Sequence, residues 1–179
     1  GLTIAPGVTY QTNHRPAITF SGGTVSHLTN YGHIVQDGPN FPIIYATATL
    51  SGDLTNDGGT FSFINGANSA IQLFPGSSVA NIRNVNGGQI LGQWEGLHLS
   101  GVTLTGAEGI VNAGTISAAG NYGIYLLDAN FSGGGGIHNS GTISGNSRGI
   151  HLSGTTSIPG GITNSGTIAG PPAGHALLA

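Results

Sequence analysis

Short stretches in which apolar and polar residues alternate recur along the whole chain, separated by Gly, Ser, Asn or Pro. Alternation with a period of two predicts β-strands, and strands of three to five residues are too short to be stable alone. Many of these stretches belong to a repeat with the pattern I-x-N-[AS]-G-T-I, which is clearest at residues 110–116, 137–143 and 162–168. The chain is therefore predicted to be a repeat protein in which neighbouring short strands stabilise one another.

Looser copies of this repeat extend towards the N-terminus, and the Asn in each copy marks the period. The marked positions are Asn30, Asn56, Asn86, Asn112, Asn139 and Asn164, separated by 26, 30, 26, 27 and 25 residues. A second motif, G-[IL]-x-L, follows most of these Asn residues at a nearly constant distance, and a weaker third apolar stretch fills the rest of the period. Each period thus contains about three short strands.

The repeat predicts one all-β domain over residues 1–179, a parallel β-helix (β-solenoid), which the usual hand of parallel crossovers would make right-handed. We expect about six or seven coils of roughly 26 residues, with three short strands in each coil. Ile, Leu and Phe would pack on the same residues of the coils above and below, at the usual strand spacing of ~4.8 Å. Residues 1–27 should form a less regular first coil and residues 28–179 the recognisable repeats.

The recurring Asn is predicted to be architectural rather than a ligand. The amide of a buried Asn can donate to the Asn of the next coil and accept from the Asn of the coil before, which makes a ladder along the stack. We expect all six Asn residues, Asn86 included, to form this ladder at one corner. Asn also tolerates the left-handed backbone of a sharp corner, and the Gly that follows it would serve the same corner.

Composition excludes several classes of protein. The chain has 34 Gly, only 5% charged residues, no Lys, and three Arg at Arg15, Arg83 and Arg148. No basic cluster exists to bind nucleic acid or an anionic lipid surface. No apolar stretch reaches the ~18 residues of a transmembrane helix, and the absence of Cys rules out disulfides and thiolate metal sites. No cofactor is expected.

Residues 135–152, with the sequence G-G-I-x-N-S-G-T-I-x-G-x-x-x-G-I-x-L, are echoed from residue 160 onward. This stretch resembles the passenger repeats of bacterial autotransporters and related haemagglutinin-like secreted adhesins. The resemblance covers about 150 of the 179 residues when the looser copies are counted. It implies a right-handed parallel β-helix that is secreted to, or displayed on, the surface of a Gram-negative cell. It is less specific for function, because the same scaffold carries adhesins, proteases and plain stalks.

Candidate catalytic groups are few. The acidic residues fall mostly in turns at different corners, and only Asp53 and Asp57 form a close pair, which is a solvated turn pair or a weak calcium site. No Ser has a matched His and Asp, and no G-x-S-x-G motif occurs. Catalysis is therefore disfavoured.

A candidate binding strip comes from the x position of the second motif, which should face outward on successive coils. Its members are predicted to be Thr19, Ile44, Gln72, His98, Tyr125, His151 and Ala176. The central residues, Gln72, His98, Tyr125 and His151, could stack on a sugar or present a face to a protein partner. A second outward file consists of His33, Thr60, Gln89, Thr115, Thr142 and Thr167. Its interruptions favour ordinary polar strand residues over an ice-binding lattice.

The sequence favours a non-catalytic structural or adhesive rod of a secreted bacterial surface protein. Because the chain opens at Gly1, we expect either that a leader was removed or that this is a segment of a longer protein. About seven whole periods fit in 179 residues, so copies could also stack end to end into an extracellular filament through uncapped coils. Partners are then a second copy, adjoining repeats, or a glycan or host-surface receptor. The alternatives are a polysaccharide-degrading β-helix enzyme and, less favoured, an ice-binding solenoid.

Overall fold

The computed structural model describes residues 1–38, 41–65, 68–171 and 177–178, and every element in these ranges is a β-strand or a turn. The first twelve strands are β1 (Leu2–Ile4), β2 (Thr9–Thr12), β3 (Ile18–Val25), β4 (Leu28–Asn30), β5 (His33–Asp37), β6 (Ile44–Leu50), β7 (Leu54–Asp57), β8 (Thr60–Asn65), β9 (Ile71–Leu73), β10 (Ser78–Val79), β11 (Ile82–Val85) and β12 (Gln89–Gly92). The remaining strands are β13 (Glu95–Ser100), β14 (Thr103–Leu104), β15 (Gly109–Asn112), β16 (Thr115–Ala118), β17 (Tyr122–Leu127), β18 (Asn130–Phe131), β19 (Gly136–Asn139), β20 (Thr142–Gly145), β21 (Arg148–Ser153), β22 (Ile162–Asn164), β23 (Thr167–Ala169) and β24 (Leu177–Leu178).

The strands stack into three parallel sheets that together form a β-solenoid, as the repeat predicts. The first sheet has the order β1-β4-β7-β11-β15-β19-β22 and the second β2-β5-β8-β12-β16-β20-β23. The third runs from β3 through β6, β9, β13, β17 and β21 to β24. The last two residues of β6 instead pair with β10, which continues through β14 to β18. This short branch is the weaker third apolar stretch of the sequence repeat.

A continuous apolar column fills the interior of the solenoid. One file of the first sheet consists of Leu28, Leu54, Ile82, Ile110 and Ile137, all fully buried and in register from coil to coil. The second and third sheets contribute matching files of Ile, Leu and Phe. Each such side chain stabilises the fold by about 1.5–3 kcal/mol relative to an exposed one. Because every inward residue sits on its equivalent, a one-residue slip would expose the whole file.

A ladder of Asn side chains, all buried except the exposed Asn164 at its end, runs along the corner between the first and second sheets. The Nδ2 of each Asn donates to the Oδ1 of the Asn in the next coil, at 2.7–2.8 Å. The same Nδ2 also donates to backbone carbonyls around the corner, as Asn56 does to Gly59 and Gln89. The ladder consists of Asn30, Asn56, Asn84, Asn112, Asn139 and Asn164.

The structure corrects one member of the predicted ladder, because Asn84 and not Asn86 occupies this position. Asn84 pairs in register with Asn56 on one side and Asn112 on the other. Asn86 lies two residues further on in an exposed turn, where its Nδ2 donates to Asp57 Oδ1 at 2.6 Å. The corner after Asn84 is two residues longer than the corner after Asn112, so matching the Asn-to-Gly spacing selected the wrong Asn.

The structure also corrects the predicted role of the corner Gly and Asn, which was to allow a left-handed backbone at a sharp corner. Among the described non-Gly residues, only Asn86 and Asp128 have a positive φ, so the ladder Asn residues are not left-handed. The corner Gly is required by a close approach of the chain instead. A Cβ on Gly114 would lie 2.1 Å from the carbonyl oxygen of Gly88, and one on Gly141 equally close to that of Gly114.

The first 27 residues form a coil that contributes to all three sheets. β1 pairs with β4, β2 with β5 and β3 with β6. The register of β3 shifts between Ser21 and Thr24, where Gly22 and Gly23 both have a positive φ. Ile4 occupies the ladder position opposite Asn30, so the ladder begins in the second coil.

Asn84→Ala should lower the free energy of unfolding by about 1–3 kcal/mol, because it removes the acceptor for Asn56 and the donor to Asn112 in the interior. The measurement is urea unfolding followed by circular dichroism. Asn86→Gly is the matched control, since it removes an exposed Asn and suits the positive φ of 51° there. We expect this control to change stability by less than about 0.5 kcal/mol. Equal losses in the two variants would contradict the ladder assignment.

Candidate functional site

The predicted binding strip lies on the outer face of the third sheet. His98 pairs in register with Gln72 on one side and Tyr125 on the other, and Tyr125 pairs with His151. These four residues therefore occupy the same position on four successive coils. Their side chains are partly exposed and point away from the core.

The ends of the strip differ from the prediction. Tyr45, not Ile44, is in register with Thr19 and Gln72. Ile44 is fully buried and pairs with Ile71 in the core. Two adjacent apolar residues, Ile43 and Ile44, made the alternation ambiguous here. At the other end Leu178 pairs with His151, and the predicted member Ala176 lies outside the described residues.

A second file runs beside the strip and was not predicted. It consists of Glu95, Tyr122 and Arg148, which pair in register three residues before His98, Tyr125 and His151. The constant offset of three residues is visible in the sequence. It did not predict a shared surface, because alternation alone would put residues three apart on opposite faces of a strand.

A Gly lies between the two files where neighbouring coils approach closely. In each coil this is the Gly of the second motif, Gly96, Gly123 or Gly149. A Cβ on Gly96 would lie 2.7 Å from the carbonyl oxygen of Gly123, and one on Gly123 equally close to that of Gly149. The coils therefore approach too closely at Gly96 and Gly123 for a larger residue.

Together the two files make a cluster of six side chains on three coils, here called the aromatic cluster: Glu95, His98, Tyr122, Tyr125, Arg148 and His151. The His151 ring stacks on Tyr122 at a centroid distance of 4.5 Å and on Tyr125 at 5.3 Å. His98 meets Tyr125 edge to face at 5.0 Å. The Arg148 guanidinium carbon lies 5.8 Å from the centre of the Tyr122 ring, within the range of a cation–π contact.

The carboxylate of Glu95 forms the negative end of the cluster. This residue is only 3% exposed. Ser69 Oγ donates to its Oε2 at 2.7 Å, and Asn121 Nδ2 donates to its Oε1 at 3.4 Å. His98 Nδ1 lies 3.6 Å from Oε2, which is beyond hydrogen-bond distance.

Arg148 and His151 form the opposite end. The Nε of Arg148 and the Nδ1 of His151 are both buried and have no hydrogen-bond partner. Burial lowers the pKa of His151, and the nearby Arg148 guanidinium lowers it further. His151 is consequently neutral at neutral pH, and Arg148 supplies the positive charge.

Arg148→Gln should raise the pKa of His151, because the change removes the cation that opposes its protonation. Burial remains, so the pKa should still lie below its ordinary value. An NMR titration of the His ring protons measures this shift. Arg83→Gln is the matched control, since Arg83 lies on the first sheet in an ion pair with Glu108. A His151 pKa that moves equally in both variants, or in neither, would contradict the assignment.

The same shift makes stability depend on pH. The unfolded chain binds a proton at His151 near pH 6.5 and the folded chain only at a lower pH, so stability falls as the pH drops through roughly 6.5. His151→Gln should reduce this fall. Thermal unfolding of both proteins at pH 7.5 and pH 5.5 measures it, and an unchanged pH dependence in the variant would contradict the prediction.

The other candidate groups lie apart from the aromatic cluster. Asp53 Oδ1 accepts from Asn81 Nδ2 at 2.8 Å, and Asp57 Oδ1 accepts from Asn86. Within the described part of the chain, no group of three or more His, Asp or Glu is placed to hold a metal ion. A shallow depression of about 290 Å³ lies on the first sheet, and His138 Nδ1 is 2.8 Å from Thr163 Oγ1 in its lining.

The Thr file of the second sheet is in register as expected. It comprises His33, Thr60, Gln89, Thr115, Thr142 and Thr167. The parallel outward file two residues later contains Val35 and Leu91 among the Ser residues, so no flat hydroxyl lattice covers this face.

Comparison of the chain with protein-family models, with curated proteins and with solved structures finds no match. Within residues 1–38, 41–65, 68–171 and 177–178, no apolar helix of membrane-spanning length occurs. The function is therefore inferred from the residues of this chain.

Proposed function

We propose that this chain is a non-catalytic, rigid rod of a secreted bacterial cell-surface protein, and that it holds an adhesive face on the outside of the third sheet. The observation that supports the proposal best is the unbroken run of five Asn-to-Asn hydrogen bonds through six coils. A buried amide ladder resists both sliding and separation of the coils, because either movement breaks interior hydrogen bonds.

The adhesive part of the proposal depends on the aromatic cluster. The outward residues of the second sheet include many Thr and Ser, such as Thr115, Thr142 and Thr167, which suit solvation. Here four rings and two opposite charges meet on three neighbouring coils. Aromatic rings and Arg are the residues over-represented at the energetic centres of binding surfaces.

The ladder residues favour binding through the side of the rod over stacking of copies through its ends. Ile4 occupies the ladder position of the first coil. A second copy stacked there would set the amide of Asn164 against an apolar side chain, so that its Nδ2 would keep the Gly166 carbonyl as acceptor but gain no Asn oxygen. Leaving one buried N–H of an amide without an acceptor costs about 1–3 kcal/mol.

The side-binding form predicts isolated short rods at every concentration in electron microscopy of the purified chain. Seven coils at ~4.8 Å correspond to a rod of about 34 Å. Unbranched fibres that lengthen with concentration would favour a subunit that polymerises end to end.

Beads coated with the purified chain should adhere to cultured epithelial cells more than albumin-coated beads do. Replacing His98, Tyr125 and His151 together by Ser should remove most of this adhesion, because the ring surface is lost. The matched control replaces Thr115, Thr142 and Thr167 by Ser on the second sheet and should adhere like the parent. Equal adhesion of both triple variants, or no adhesion by the parent, would contradict the proposal.

Cleavage of a polysaccharide by the purified chain would contradict the proposed non-catalytic function. Release of reducing sugars from acidic polysaccharides in the presence of calcium, abolished by Asp53→Ala or Asp57→Ala, would indicate an enzyme.

A further inference from the structure

The aromatic cluster has the shape and charge arrangement of a site for a ring that carries an acidic group. Its three coils extend over two strand spacings, roughly 10 Å, which is the length of about two sugar rings. The Tyr122, Tyr125 and His151 rings pack together in the middle of this length. Glu95 and Arg148 lie in the same file two coils apart, so the cluster is negative at one end and positive at the other.

Arg148 is the group that specifies the ligand. Among the described residues it has no carboxylate partner, whereas Arg83 is paired with Glu108. Its buried Nε has no hydrogen-bond acceptor. A guanidinium group can donate two parallel hydrogen bonds to one carboxylate. The interaction between the two groups is stronger beside apolar surface, where water is excluded.

The carboxylate of Glu95 cannot fill this role. It is held in the other end of the cluster by Ser69 and Asn121. Within the described chain Arg148 therefore has no carboxylate to pair with, and its half-exposed guanidinium is available to an anion from outside. The partly exposed Tyr122 and His151 rings beside Arg148 offer apolar surface for a pyranose.

We infer that the aromatic cluster binds an acidic saccharide, a pyranose bearing a carboxylate, with the carboxylate on Arg148 and the ring on Tyr122 and His151. Uronic acids and sialic acids both supply this chemistry. The inference rests on the proposed adhesive function and names the class of ligand for it.

The test is calorimetric binding of four purified oligosaccharides to the chain. Trigalacturonate is compared with neutral galactotriose, and 3′-sialyllactose with neutral lactose. At least one acidic sugar should bind about tenfold or more tightly than its neutral partner, and added salt should weaken it. The single Trp of the chain, Trp94, is 48% exposed and precedes Glu95, so its fluorescence gives a second readout.

Three Arg variants separate recognition of the carboxylate from the effect of net charge. Arg148→Gln should lose about tenfold or more in affinity for the acidic sugar and little for the neutral one. Arg83→Gln changes net charge equally and should bind like the parent. Arg148→Lys keeps the charge without the fork, so an intermediate loss is expected even if the Gln variant is less stable.

Three results would overturn the inference. They are equal binding of acidic and neutral sugars, binding of none of the four, and equal losses in Arg148→Gln and Arg83→Gln. Adhesion in the bead assay that depends on the strip, together with any of these, would leave the proposed function intact and reject only the acidic ligand. Absence of adhesion in that assay would reject the function itself.

Discussion

Coil-to-coil register is the constraint on which everything else in this molecule depends. Each coil is too short to form a core of its own, so its inward residues are buried only when they lie directly on those of the next coil. The Asn ladder fixes that register at one corner with side-chain hydrogen bonds of 2.7–2.8 Å, which a shifted coil could not make. The apolar files alone exclude a one-residue slip but would tolerate a two-residue shift better, since one Ile packs on another almost equally well in several arrangements.

The same register determines what the outer surface can do. A residue type that recurs at one point of the repeat becomes a row on one face, with members about one strand spacing apart. On the second sheet the recurring type is Thr, and the result is a solvated face. On the third sheet the positions vary among Glu, His, Tyr and Arg, and register converts that variation into neighbouring side chains of different chemistry. Contacts between the two files, such as that of the Tyr122 ring with Tyr125 and His151, widen the strip into a surface.

Much of this could be predicted from the sequence, because a period of about 26 residues with alternating short strands is compatible with few folds. The sheets, the apolar column and five of the six ladder residues follow from spacing alone. Spacing predicted the wrong ladder residue where coils differ in length, because two extra residues after Asn84 made Asn86 look equivalent to the ladder Asn of the other coils. Alternation failed at Ile43 and Ile44, where two successive apolar residues are both buried.

The missed half of the aromatic cluster has a different cause. Glu95, Tyr122 and Arg148 contact the strip although they precede its members by three residues, and strict alternation with a period of two would place them on the opposite face. The electrostatic effect of these residues also depends on how few charged residues the chain contains. In a chain with 5% charged residues, few neighbouring ions screen a guanidinium or compete for it. Arg83 is neutralised by Glu108, but no described carboxylate neutralises Arg148, which packs against the Tyr122 ring instead. Glu95 lies two coils away in the same file, so Arg148 sets the potential at its own end of the cluster, and an anion would be held at that end of the third sheet.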